Sequence, residues 1–501
     1  LSQARDVLRR PAMRVFWTVL LLCACDHVPP VAIADQCTPL TDPVLLFPTA
    51  SPGLGEQFSV GMVDRQVLLS RVTRDWDTMT SIVTAQWFDA TLHPTTAEFS
   101  LGVGAAPNMR WIAFDGRLHG QVWTIPSGDP FAMPLRLEVG VDALAPGTTS
   151  IDRTIVALPI TTSADSMTRL GVMEGPGGGP GLPGDFELTA AVGFGRPIFA
   201  LDAIPADCGG FVTNMLRVMV FDGTAESTDE LGDPACTGDV GRVTEFETYD
   251  EVLVPFEGGL GLFYRSGASG GETTGRLHYA RVGSDLRVLD DPPIDVDDEV
   301  VNGAWLFPAG YQTHAAQVDD GPILYRTRMG GAGWNDCSSL RLVDPDGGHP
   351  RDAAWRMRCY VSYDDAVHHG AWAPWLSAWA RIEPLEMGHA ALVYDERTNF
   401  PPLMEYSAHV TADTDWDEGV YLTTINGLGQ RTSDVVRITP AETTALDVIT
   451  TPRTADDGPF PRDIPIATAS EGSEVVIAWL DARPDAPGYY ARRYACGAIE
   501  Q

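Results

Sequence analysis

The sequence contains no lysine. Schiff-base catalysis needs an ε-amino group, and the phosphate loop of nucleotide hydrolases uses one, so both chemistries are excluded. Positive charge of any kind is scarce: 34 arginines face 68 acidic residues, a formal charge of -34. Such a chain repels phosphate backbones and anionic lipid, which argues against nucleic acid as a partner and leaves a lipid anchor as the route to a membrane. An acidic surface resists association, and it can also collect divalent cations. Helical signals are poor as well: Leu- or Ala-rich amphipathic stretches are hard to find, whereas Gly numbers 50 and Pro 38. No Cys-x-x-Cys pair or zinc-type Cys/His spacing occurs. A content of 44% hydrophobic and 20% charged residues is that of a globular chain. Frequent turns and scarce helices point to an all-β fold.

The organising stretch is Glu474-Val475-Val476-Ile477-Ala478-Trp479-Leu480-Asp481-Ala482-Arg483. It turns through Pro484–Gly488 and returns as Tyr489-Tyr490-Ala491-Arg492-Arg493-Tyr494. The apolar run is too short for a helix, and Val, Ile and Trp favour a pleated surface. A strand apolar on both sides must be covered on both faces. Weaker copies lie upstream. Leu260–Arg265 returns as Arg276–Val282, Pro322–Arg326 as Ser339–Val343, and Ala390–Arg397 as Gly419–Ile425. Earlier candidate strands are Val67–Ser70, Thr80–Phe88, Thr154–Leu158 and Leu216–Gly223. Trp111–Phe114 and Gln121–Ile125 flank Asp115-Gly116, a tight-turn signal.

At the start, Arg9, Arg10 and Arg14 precede the apolar run Val15–Leu22, and Leu22-Cys23-Ala24-Cys25 follows. The pattern is an export signal whose apolar core is too short to span a bilayer. Its end resembles the bacterial lipobox, which implies cleavage before Cys25 and lipid on that thiol. A soluble alternative is cleavage after Ala32-Ile33-Ala34. Either cut exports the chain, placing it in the cell envelope, lipid-anchored or as a soluble periplasmic or secreted protein. Six cysteines then remain in an oxidising compartment: Cys37, Cys208, Cys236, Cys337, Cys359 and Cys496. Six allow fifteen connectivities. Spacing favours two local clips, Cys208 with Cys236 and Cys337 with Cys359, leaving Cys37 to pair with Cys496 and bring the chain ends together.

The repeated units resemble β-propeller blades, sialidase-like and other repeat-blade proteins included, over roughly residues 40–497. The resemblance implies a single all-β propeller of about seven blades, with six or eight open. Each unit reads as an inner apolar strand, a turn, an aromatic strand and a fourth strand. Two β-sandwich domains split at the Gly/Pro stretch 175–184 are the structural alternative. The domain plan is a signal peptide with lipobox over 1–25, a short tether and first strand region over 26–42, and the propeller-like domain over 43–497. The Ser-x-Asp-x-Gly-x-x-Trp box of many sialidase-like blades is missing.

Asp413, Asp415 and Asp417 alternate before Gly419 and make calcium the candidate ion, against a solvated acidic hairpin. The cluster Asp295 to Glu299 is a weaker candidate. Gly267-Ala268-Ser269-Gly270-Gly271 has the letters of a nucleophile elbow, but a strand follows where a helix is required. His368-His369 beside Asp364-Asp365 reads as a surface loop, because tandem histidines point opposite ways on a strand. The Asp481/Arg483 and Asp395/Arg397 corners read as structural, because they repeat. The expectation is a non-enzymatic module that binds a protein or glycan ligand. The alternative is an extracellular glycan-directed hydrolase, for which a sialidase-like site would bring a Tyr/Glu pair, an acidic Asp and several Arg to a central pocket. A pocket gathering carboxylates and arginines from several blades favours the second reading, and a bland lining favours the first.

Overall fold

The computed structural model describes residues 35–49, 57–75, 80–103, 110–124, 135–162, 189–203, 217–222, 228–230, 246–268, 276–290, 293–296, 313–318, 321–329, 337–348, 351–352, 380–386, 388–398, 417–443 and 466–498. These form strands without a helix, in seven antiparallel sheets. Strands β1 (Asp35–Pro39) and β2 (Val44–Pro48) come first and belong to the last blade. Blade 1 is β3 (Gln57–Val63), β4 (Gln66–Asp75), β5 (Thr80–Phe88) and β6 (Phe99–Val103). Blade 2 is β7 (Ile112–Phe114), β8 (Arg117–Thr124), β9 (Leu135–Leu144) and β10 (Ile151–Thr162). Blade 3 is β11 (Thr189–Gly193), β12 (Arg196–Ala203), β13 (Arg217–Asp222) and β14 (Thr228–Glu230). Blade 4 is β15 (Phe246–Phe256), β16 (Gly259–Ala268), β17 (Arg276–Val282) and β18 (Ile294–Asp295). Blade 5 is β19 (Thr313–Gln317), β20 (Ile323–Met329), β21 (Cys337–Val343) and β22 (Arg351–Asp352). Blade 6 is β23 (Ala380–Pro384), β24 (Ala390–Thr398), β25 (Asp417–Ile425) and β26 (Val436–Arg437). Blade 7 is β27 (Ile466–Glu471), β28 (Glu474–Asp481) and β29 (Gly488–Ala498), with β1 and β2 on its outer edge.

The first strand of every blade touches the first strands of both neighbours, from β3 round to β27 and back to β3. That closed circuit makes the fold a seven-bladed β-propeller and sets aside the two-sandwich alternative. Gly175 to Gly184, the possible split point, lies outside the described residues, between the last strand of blade 2 and the first of blade 3. The greasy run is the second strand of its blade and lies in the sheet interior: β28 pairs with β27 on its axial side and β29 on the other. Second strands are flanked by strands within the sheet and by blades on both faces, so they are the driest.

The alternation of β28 shows why its apolar run is unbroken. Val475, Ile477 and Trp479 pack toward blade 6, with Ala391, Val393 and Leu422. Val476, Ala478 and Leu480 pack toward blade 1, with Val60, Val67 and Leu69. Because side chains alternate faces and each face meets a blade, no position is left for a polar residue. The repeat anchors obey the same rule. Tyr264, Tyr325, Tyr394 and Trp479 all sit on second strands, and each packs into the interface with the preceding blade.

Where blades 1 and 2 meet, close approach depends on glycine. The Trp111 ring lies against Gly120, where an added Cβ would fall 2.4 Å from it. Trp111 Nε1 donates to Ser70 Oγ at 2.8 Å, and Ser70 Oγ donates to the Ser59 carbonyl at 3.3 Å. Two-residue turns close the first hairpins of blades 1 and 2, with Asp64-Arg65 and Asp115-Gly116 all at positive φ. This mirror-image turn matches the strand twist. Asp64 and Arg65 carry side chains there at some strain, and the Glu471 carboxylate of blade 7 accepts both of their amides at 2.8 Å.

The ring is closed by β1, which pairs antiparallel with β29 and sets Cys37 opposite Cys496. The two are joined by a disulfide across 459 residues of sequence. Buried Asp35 meets His389 Nδ1 of blade 6 at 2.6 Å and accepts from Thr424 Oγ1 at 3.3 Å. The first strand is therefore stitched to blade 6 as well as blade 7. The seam between blades 7 and 1 is held by buried Arg493, whose guanidinium bonds Glu474 and the Ala90 carbonyl. Arg65 meets the same Glu474 at 2.9 Å.

Candidate functional site

First strands line the axis of a propeller, so polar residues on them are the place to look. Blade 6 contributes Ala380-Arg381-Ile382-Glu383-Pro384, where the pleat alternates buried apolar residues with charged ones. Ala380 and Ile382 fill the interface with blade 5. Glu383 accepts from Thr468 Oγ1 of blade 7 at 2.7 Å. Arg110, just ahead of β7 in blade 2, brings its guanidinium to 3.7 Å from the same carboxylate. Blades 7 and 1 stand between blades 6 and 2 in the ring, so this ion pair spans the axis. Arg381 Nη1 contacts His314 Nε2 of blade 5. The cluster thus draws side chains from four blades.

Glu383 is 6% exposed, while the Arg110 side chain keeps 28% of its surface in solvent. Burial pushes the Glu383 carboxyl above its ordinary range, against the lowering effects of Arg110, Thr468, Arg381 and Ser470. Desolvation outweighs those partners because the Thr468 hydroxyl at 2.7 Å carries no full charge and the Arg110 guanidinium stops at 3.7 Å. Chemically the arrangement is a carboxyl with a raised pKa, two guanidinium groups, an imidazole and two hydroxyls about the axis. Other first strands carry polar residues too. Thr189 of blade 3 accepts from the Leu253 amide of blade 4 at 3.0 Å, and Glu251 of blade 4 is fully buried.

The residues singled out in the sequence fall elsewhere. Cys25 and the export signal lie outside the described residues. Cys37 and Cys496 are bonded; Cys208, Cys236 and Cys359 lie outside, and Cys337 opens β21. Asp413 and Asp415 lie outside, and Asp417 opens β25 opposite Thr398. Among the described residues no group of three or more His, Cys, Asp or Glu is placed to hold a metal ion. Asp295 sits on β18 and meets His278 Nδ1 at 2.8 Å; Asp297, Asp298 and Glu299 lie outside. Gly267 and Ala268 end β16, Ser269 lies outside, and β17 follows as a strand. His368, His369, Asp364 and Asp365 lie outside.

The Asp481/Arg483 corner is structural. Asp481 accepts the Arg483 amide at 3.0 Å and Nε at 2.9 Å, and the guanidinium stacks 4.9 Å from the Tyr490 ring centre. Its partner Asp395/Arg397 lies on β24 in register with Val420 and Glu418. The axial residues were missed for a plain reason. They sit on short first strands, and Arg381-Ile382-Glu383 has no motif to mark it. The available signal was two opposite charges two places apart in a segment otherwise suited to burial.

No family model matches the sequence, and no curated protein matches it. Solved structures similar to it include the β-propeller domain of the Trilobed protease from Pyrococcus furiosus, described as having an open velcro topology. That match has 7% identity, covers 89% of this chain and 96% of that chain, and has a TM-score of 0.39. An α-L-arabinofuranosidase from Fusarium graminearum matches at 7% identity over 76% of this chain and 98% of its own, with a TM-score of 0.41. A polysaccharide lyase matches at 9% identity over 80% and 92%, with a TM-score of 0.39.

Proposed function

We propose that the protein is an exported, lipid-anchored module of the bacterial cell envelope that binds a hydroxyl-rich, glycan-type ligand at its axis. The observation that carries the ligand class is the cluster of Arg110, Arg381, His314, Glu383 and Thr468, converging from four blades. Paired guanidinium and carboxyl groups beside hydroxyls are the donors and acceptors that sugar hydroxyls use. The anchor rests on Leu22-Cys23-Ala24-Cys25 alone. Binding to an immobilised glycan panel tests the ligand class: one or more glycans should bind, and Arg110→Gln should weaken that binding by about tenfold, the worth of one charged hydrogen bond. A panel with no binder refutes it. Intact-mass analysis of the membrane fraction tests the anchor, since Cys25→Ser should release the protein.

A second reading, hydrolysis of the bound glycan, is favoured by the same cluster, which gathers a carboxyl and two arginines from several blades rather than a bland lining, and by one further feature. Glu383 holds its proton to higher pH than an ordinary glutamate, as the acid of a glycosidase must. Reducing-sugar release that disappears in Glu383→Gln would decide for it, and binding without release decides for the first.

A further inference from the structure

Blades 2 and 3 do not meet as the other blades do. In hairpins closed by a two-residue turn, the third residue of the second strand packs against the following blade. It is Leu68 in blade 1, Ile198 in blade 3 and Val476 in blade 7, all fully buried. In blade 4 it is Gly261, whose place is taken by the Tyr279 ring, 2.6 Å from where a Cβ would stand. In blade 2 the same position is His119. Beside it opens a cleft of about 290 Å³, walled by Arg117, Asp152 and Thr154 of blade 2 and by Arg196 and Asp222 of blade 3, with Val141, Ala143 and Pro197 as apolar lining.

Both walls carry opposite charges. Arg117 Nη1 meets Asp152 at 3.2 Å, and Arg196 Nε meets Asp222 at 3.0 Å. Each pair lies within one blade, so neither bridges the gap. The seam between blades 7 and 1 behaves otherwise, because Arg65 and Glu474 pair across it. Arg196 is fixed further by donating to the Ser284 carbonyl of blade 4 at 2.8 Å. Burial lowers the His119 pKa, which favours the neutral imidazole. Among the described residues the lining carries two arginines and two aspartates.

We propose that this cleft binds a small zwitterion of the α-amino-acid class, its carboxylate on the Arg117 and Arg196 side and its ammonium on the Asp152 and Asp222 side. The volume sits at the lower edge of the roughly 300–1,000 Å³ of ordinary ligand pockets, which suits one small molecule and not a chain. Charge supports the class. The field of a protein with formal charge -34 opposes entry of a free anion, while a zwitterion has no net charge to be repelled. Bidentate geometry makes arginine the natural partner of its carboxylate.

The test is a thermal-shift titration of the full exported chain with each common L-amino acid, with acetate and ethylammonium as half-ligands and glucose as a hydroxyl-only control. At least one amino acid should raise Tm, and the three controls should not. His119→Trp adds bulk to the cleft wall and should abolish the shift, with circular dichroism checking that the variant is folded. Arg196→Met should weaken binding by at least about tenfold, one charge-assisted pair. The idea is overturned if no amino acid shifts wild-type Tm, if glucose or a half-ligand does as well, or if the shift survives His119→Trp or Arg196→Met. Glu383→Gln should leave the shift unchanged, which separates this cleft from the axial site.

Discussion

Replacing Cys37 and Cys496 together by serine removes the covalent closure of the ring and leaves the β1–β29 hydrogen bonds in place. The bridge spans 459 residues, so its effect on the unfolded chain is large. The chain-entropy model gives a loss of about 20 cal/mol/K, or about 6 kcal/mol at 25 °C, as the ceiling. An unfolding entropy of about 2.1 cal/mol/K per residue comes to about 1 kcal/mol/K for a domain of this length, so Tm should fall by about 6 °C if the ring melts as one unit. The double variant is the right perturbation because a reductant would act on the other cysteines too. Calorimetry reads the drop. The fluorescence of Trp479, isolated from the other twelve of the 13 tryptophans as the difference from a Trp479→Phe variant, reads where it begins, because Trp479 is buried in the closing blade and stacks on Tyr490 at 5.9 Å. Melting should start there. A Tm within about 1 °C of wild type would show that strand pairing alone closes the ring and that loop entropy is the wrong account.

Glu383→Gln should stabilise the protein at pH 7, because the raised carboxyl pKa makes ionisation cost more in the folded state than in the unfolded. The wild-type contribution is whole below the ordinary value of 4.5 and is lost as pH rises through the folded pKa. The variant's advantage should therefore vanish in acid, and urea midpoints measured across pH check this. Glu474→Gln leaves the buried Arg493 guanidinium without its carboxylate and should cost about 3–5 kcal/mol in equilibrium unfolding. Gly120→Ala drives a methyl into the Trp111 ring and should cost about 1–3 kcal/mol, with a change in near-ultraviolet dichroism.

Much of the scaffold was legible from residue order. The run Val475–Leu480 announces a strand covered on both faces, and its return through Tyr489 and Tyr490 marks the hairpin. Asp115-Gly116 marks a turn, and the turn is there. The likeness of Tyr264, Tyr325, Tyr394 and Trp479 reflects a shared environment, since each fills the same interface in its own blade. Periodicity and turn chemistry are local, and local rules survive any tertiary arrangement. Burial on two faces placed the greasy strand in a sheet interior, and its pairing with β27 and β29 makes it the second of its blade.

Sequence alone settled the absence of lysine, the acid excess, the all-β texture and the spacing of the aromatic anchors. It also put Cys37 and Cys496 at opposite ends of a repeating chain, where closure could join them. Only the folded ring decided that Arg110 crosses the axis to Glu383, that Glu471 caps a turn in blade 1, and that His119 lines a cleft beside Arg196. Those contacts join residues far apart in the chain and in different blades. Their partners depend on how many blades close the circle and on the angle between them, quantities that no short stretch of residues encodes.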